Sequence, residues 1–153
     1  MLLILLSAVL LGTFGVLTLI DRLLGGGRID VGLRGRIALA MLFLFTGLGH
    51  FLVTEQMAGM LPPWVPERTA IVLVTGGLEL AGAIGLLVPG FARLAGIALI
   101  VFLVLVFPAN VYAALNRIDL GGHGAGPMYL LVRIPFQLLL IAWTYWFAAR
   151  CEQ

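Results

Sequence analysis

In the stretch TAIVLVTGGLELAGAIGLLVP, Thr69 to Pro89, a single carboxylate, Glu79, interrupts an otherwise apolar run. If lipid surrounds that run, an ionised Glu near its middle costs on the order of 2.5–3.5 kcal/mol on insertion scales, so a helix carries one there only where something stabilises or uses it. A carboxyl in such a place can hold or release a proton, and it can accept hydrogen bonds from a ligand. Other polar side chains stand in comparable runs. Arg133 and Gln137 are four apart in RIPFQLLLIAW and share a helix face with Ile141 and Thr144. Asn110 and Tyr112 follow Pro108 in VFPANVYAAL, His50 closes FTGLGH, and Trp64 sits in MLPPWVPER. Arg133, Gln137, Asn110, Tyr112 and His50 can donate hydrogen bonds to a carbonyl, and Glu79 can exchange the proton that goes with them.

The elements that must position these groups follow from composition. Of 153 residues 62% are hydrophobic and 10% charged, and the mean hydropathy is +1.16. No soluble domain of this length has interior enough to hide so much apolar side chain. An integral membrane protein is expected, all-α, because the apolar runs do not alternate as a β-barrel requires. A helix needs about twenty apolar residues to cross the ~30 Å hydrocarbon core. Five segments approach that length: Leu2–Ile20, Arg36–Val53, Thr69–Val88, Ala92–Leu115 and Tyr129–Ala148. The first has no basic residue before it and is longer than the ~7–15 residues of a signal-peptide core, so it is expected to remain as an anchor.

All nine basic residues are Arg, as in a protein from a GC-rich bacterial genome, and the net charge is +2. The arginines are scattered and lack interleaved aromatics, so no nucleic-acid partner is expected. The linker DRLLGGGRIDVGLRGR is Gly-rich and carries Arg22, Arg28, Arg34 and Arg36, the signature of a flexible connection kept in the cytoplasm. With Arg93 and Arg150 on that side and Arg68, Arg117 and Arg133 opposite, the bias is six to three for an outer N-terminus and an inner C-terminus. Cys151 is the only cysteine, which excludes an internal disulfide or a C-x-x-C redox pair. His50 and His123 are far apart and lack the carboxylate spacing of a metal motif, so no metal site is expected.

With this topology His50, Glu79, Asn110, Arg133 and Gln137 come from four helices and lie between the midplane and the outer surface. Glu79 is about ten residues into its helix, ~15 Å deep at ~1.5 Å per residue, and its i±3 and i±4 neighbours Thr75, Gly76, Gly82 and Ala83 are small. The carboxylate is therefore expected to face other helices, with Arg133 as candidate partner. Each residue also has a plainer reading. Glu79 is then an interhelical link, Arg133 a side chain snorkelling to outer headgroups, His50 a bonded helix-end group, and Trp64 an interfacial anchor rather than part of a rigid lid. Pro108 and Pro135 free the carbonyls of Val104 and Leu131, which membrane helices tolerate where protein or water satisfies them.

The ordered motifs GHF at His50, LPPWVP, TGGLELAGAIGLL around Glu79, a short turn with Arg93, FPAN at Asn110 and RIPFQLLLIAW resemble the DoxX-like family of small bacterial membrane proteins. The resemblance covers residues 36–146. It implies a four-helix membrane domain over residues 36–150, here preceded by a transmembrane helix at residues 1–21 and the linker at residues 22–35. The family's namesake looks like the small membrane subunit of a thiosulfate:quinone oxidoreductase. Carried onto this chain, the resemblance implies a ligand site of Glu79, Arg133, Gln137, Asn110 and His50, to which Tyr112 and Trp64 are added from their position. A quinone is then the expected diffusible cofactor, none is expected to be covalently bound, and a membrane or peripheral redox protein is the expected partner. The alternatives are a non-catalytic subunit or assembly factor whose polar groups lock the bundle, and a transporter or lipid-handling protein using the same pocket.

Overall fold

The computed structural model describes residues 2–118 and 120–150. Cys151 lies outside the described residues. Within them the chain is helical and contains no strand. The helices are α1 (Leu2–Leu23), α2 (Val31–Leu52), the short α3 (Thr54–Ala58), α4 (Arg68–Leu87), α5 (Ala92–Leu115) and α6 (Leu130–Thr144). A 3₁₀ segment, His123–Tyr129, leads into α6, and a π turn, Tyr145–Ala149, extends it. Five helical stretches are long and apolar enough to cross a membrane: Leu2–Leu23, Val31–Leu52, Arg68–Leu87, Ala92–Leu115 and His123–Ala149.

The expected spans agree with these helices to within a few residues except at the linker. The connection between α1 and α2 is a closed turn rather than a loose strand of glycines. Gly25, Gly26 and Gly27 all have positive φ, between 75° and 100°, and turn the chain back on itself. The Asp21 carboxylate then accepts the N–H groups of Gly27 at 3.0 Å and of Arg28 and Ile29 at 2.8 Å. Arg34 adds a 2.6 Å ion pair to the same carboxylate and also donates to the Ile29 carbonyl. Asp30 caps α2 by accepting from Leu33 N, which starts the helix at Val31 instead of Arg36. Hydropathy missed this first turn because Arg34 and Arg36 dilute it.

Leu3, Leu6 and Leu10 repeat at helical spacing and are buried where α1 meets α2. Phe14, one turn on, contacts the rings of Trp143 and Phe147 at 5.4 and 5.8 Å. Small residues let the other helices approach. Gly82 meets Leu99 and Gly85 meets Ala95 between α4 and α5, while Gly96 of α5 lies against Ala148 of the π turn. Phe147 covers Gly35 of α2, whose carbonyl accepts from Trp143 Nε1 at 3.3 Å. The core between these faces holds Leu39, Leu42, Phe43, Leu86, Leu99 and Leu140.

Candidate functional site

Helices α2 and α4 pack closely against each other, and glycines permit it. A Cβ on Gly76 would stand 2.5 Å from His50 Cβ, and one on Gly47 would stand 2.9 Å from a Leu80 methyl and 3.2 Å from Glu79 Cβ. This contact carries His50 across to α4. Its Nδ1 lies 2.9 Å from the Val72 carbonyl and 3.2 Å from Thr75 Oγ1. A carbonyl can only accept, so Nδ1 carries the proton and, in the neutral ring, Nε2 is left as an acceptor. Nε2 faces Glu79 Oε1 at 3.8 Å. Two acceptors facing each other repel, so the contact is attractive when a proton resides on one of them. Thr46 neighbours the same carboxyl, one turn before His50. Glu79 itself is buried, 7% exposed, and its Oε2 makes no hydrogen bond among the described residues.

Arg133 does not close on Glu79 as expected, because no ion pair within 4.0 Å joins them. Its guanidinium lies back along its own helix, 6.0 Å from the Phe136 ring centroid, within electrostatic reach of Tyr129, His123 and Glu79. Its buried Nε makes no hydrogen bond among the described residues. Gln137, one turn deeper, is 5% exposed and donates through Nε2 to the Leu103 carbonyl at 2.6 Å. That is the carbonyl one residue before Val104, the one that Pro108 deprives of its ladder partner. Gln137 Oε1 is left without a hydrogen bond among the described residues.

Asn110 is bonded elsewhere. Its Nδ2 donates to the Val106 carbonyl at 3.0 Å, and its Oδ1 lies 3.3 Å from His123 Nε2. His123, weighed in the sequence only as a metal ligand and set aside because it is far from His50 and lacks carboxylate spacing, is buried and belongs with this group. Its Nδ1 meets the Leu120 carbonyl at 2.6 Å, and its ring lies 4.4 Å from that of Tyr129. The signal available was positional: GGHGAGPM joins α5 to α6 at the end where Asn110 and Arg133 emerge. Trp64 and Tyr112 find each other, edge to face at 6.0 Å, with Trp64 76% exposed. A recess of about 480 Å³ lies under the Pro-rich loop, lined by Glu55, Pro63, Glu67 and Arg68 among others.

Among the described residues no group of three His, Cys, Asp or Glu side chains converges as metal ligands. Four buried side-chain polar atoms there lack a hydrogen bond, and three belong to Glu79, Arg133 and Gln137; the fourth, Arg36 Nε, is at the opposite end of α2. The arrangement offers acceptors at Glu79 and Gln137, a donor at Arg133, and a proton-holding pair in His50 and Glu79.

Residues 39–148 match the family described as Domain of unknown function (DUF8561). No curated protein matches the chain. No solved structure matches it.

Proposed function

The chain belongs to the DUF8561 family, and from the residues of that shared region we propose a small integral membrane protein whose polar pocket, near the outer leaflet, binds a small amphipathic ligand, foremost a quinone, within a membrane redox complex. In this reading α2, α4, α5 and α6 form a four-helix core of the DoxX-like kind, α1 is added to it, and the protein sits in a bacterial plasma membrane with its N-terminus outside. The observation that carries the proposal is the set of unpaired atoms at Glu79 Oε2, Arg133 Nε and Gln137 Oε1. Leaving a buried polar atom unpaired costs about 1–3 kcal/mol, more when it is charged, so a ligand that pairs them binds with that much in its favour. The charged pair at Asp21 supports the distinction. There the chain gives one carboxylate three backbone donors and an arginine, which is what a structural clasp of this protein looks like.

In the proposed chemistry Arg133 donates to a quinone oxygen, and Glu79, with His50 behind it, supplies a proton as electrons arrive from a redox partner protein. Glu79→Gln keeps the shape and removes the exchangeable charge. Protein purified in mild detergent is expected to retain quinone, and the variant to lose at least about ten-fold of that retention, or 1.4 kcal/mol. A wild-type protein without quinone, and a variant that leaves quinone-linked activity unchanged, would end the proposal.

The bonds from His50 to Val72 and from Gln137 to Leu103 favour a second reading, in which the polar groups only lock the helices and the outer recess holds a partner subunit. That reading expects Glu79→Gln and Arg133→Ala to lower folding yield and partner recovery together.

A further inference from the structure

Between α5 and α6 runs a groove of about 170 Å³ whose walls are Val104, Phe107, Ile134, Leu138 and Ile141. Gln137 is the polar residue lining it. Its amide orientation is determined, because Nε2 lies 2.6 Å from the Leu103 carbonyl, which can only accept. The oxygen is therefore the atom left over, in a side chain 5% exposed and without a hydrogen bond at Oε1. Pro108 has no N–H, so the carbonyl of Val104, another residue of the groove wall, loses its helical partner. The walls face outward, with Val104 55% and Leu138 61% exposed, and a guest reaches Oε1 by displacing these side chains.

An apolar slot on the outward side of two helices admits a hydrocarbon chain, and an unpaired acceptor beside it calls for a guest that donates. We propose that the groove takes a long-chain or isoprenoid molecule with a terminal hydroxyl from the bilayer, its O–H donating to Gln137 Oε1. This rests on the ligand reading above and sharpens it: at Gln137 the site favours the reduced, hydroxyl-bearing form of a quinone, since a quinone carbonyl brings no donor.

The test uses the full chain in detergent and two probes with the same isoprenoid chain, farnesol and farnesyl methyl ether, which lacks the donor. Farnesol is expected to bind about ten-fold more tightly than the ether. Leu138→Trp fills the groove from its exposed side and leaves the Gln137–Leu103 bond intact, so it is expected to lower farnesol affinity about ten-fold with the melting temperature unchanged. If it fails to fold, Val104→Trp on the opposite wall gives the same readout. Equal binding of the two probes, no binding of either, or indifference to the tryptophan overturns the proposal. The Glu79→Gln quinone measurement separates it from the parent reading. Farnesol selectivity together with absent quinone retention leaves the groove and removes the redox site, whereas quinone retention without selectivity does the reverse.

Discussion

Asp21 and Glu79 are both buried carboxylates, at 3% and 7% exposure, yet their surroundings differ atom by atom. Every oxygen of Asp21 is engaged by the turn and Arg34, while Glu79 has His50 at 3.8 Å on one oxygen and no hydrogen bond on the other. Substitution should separate these roles. Asp21→Asn is expected to leave Arg34 without its counter-charge and to lower the thermal midpoint in detergent, whereas Glu79→Gln should leave that midpoint at or above the wild-type value. Equal losses in the two melting curves would make Glu79 a clasp as well. Among single residues, sequence pointed to Glu79, His50 and Arg133 because each breaks an apolar run, and it put them between the midplane and the outer surface. It could not show that His50 rather than Arg133 stands nearest Glu79, since that depends on how far Gly47 and Gly76 let α2 approach α4. His123 escaped because loop histidines carry no periodicity from which burial can be read.

The glycines of the helices fall into two kinds that sequence cannot tell apart. A Cβ at Gly96 would meet Ala148 Cβ at 2.7 Å and the backbone nitrogen of Ala149 at 3.0 Å, whereas one at Gly77 meets nothing within 4 Å. Backbone cannot step aside as a side-chain tip can. Gly96→Ala is therefore expected to destabilise by about 1–3 kcal/mol, while Gly77→Ala is neutral or stabilising by up to ~1 kcal/mol through helix propensity. Unfolding of both variants in the same detergent checks the contrast. The five long helices were legible because apolar length alone reveals them. The elements that were not legible are α3, the 3₁₀ segment and the first turn of α2, all short or rich in Gly, Pro and Arg, where caps and tertiary contacts decide.

The proposed orientation for the whole molecule makes its ends chemically distinguishable. In a Cys151→Ser background, a cysteine in place of Trp64 is expected to react with a membrane-impermeant maleimide in intact cells, and one in place of Arg28 only after the membrane is opened. The opposite pattern would invert the topology and move the polar cluster to the inner leaflet. The α2–α4 contact has a consequence for how such a chain is made. Spans leave the ribosome in order, and α2 is already emerging when α4 arrives with Glu79. The residues that shelter the carboxyl, Thr46 and His50, belong to that earlier span, and Arg133 belongs to the last. In the proposed membrane topology the hairpin of α2 and α4 thus brings its acidic group into the bilayer already beside Thr46 and His50, and Arg133 follows with the last helix.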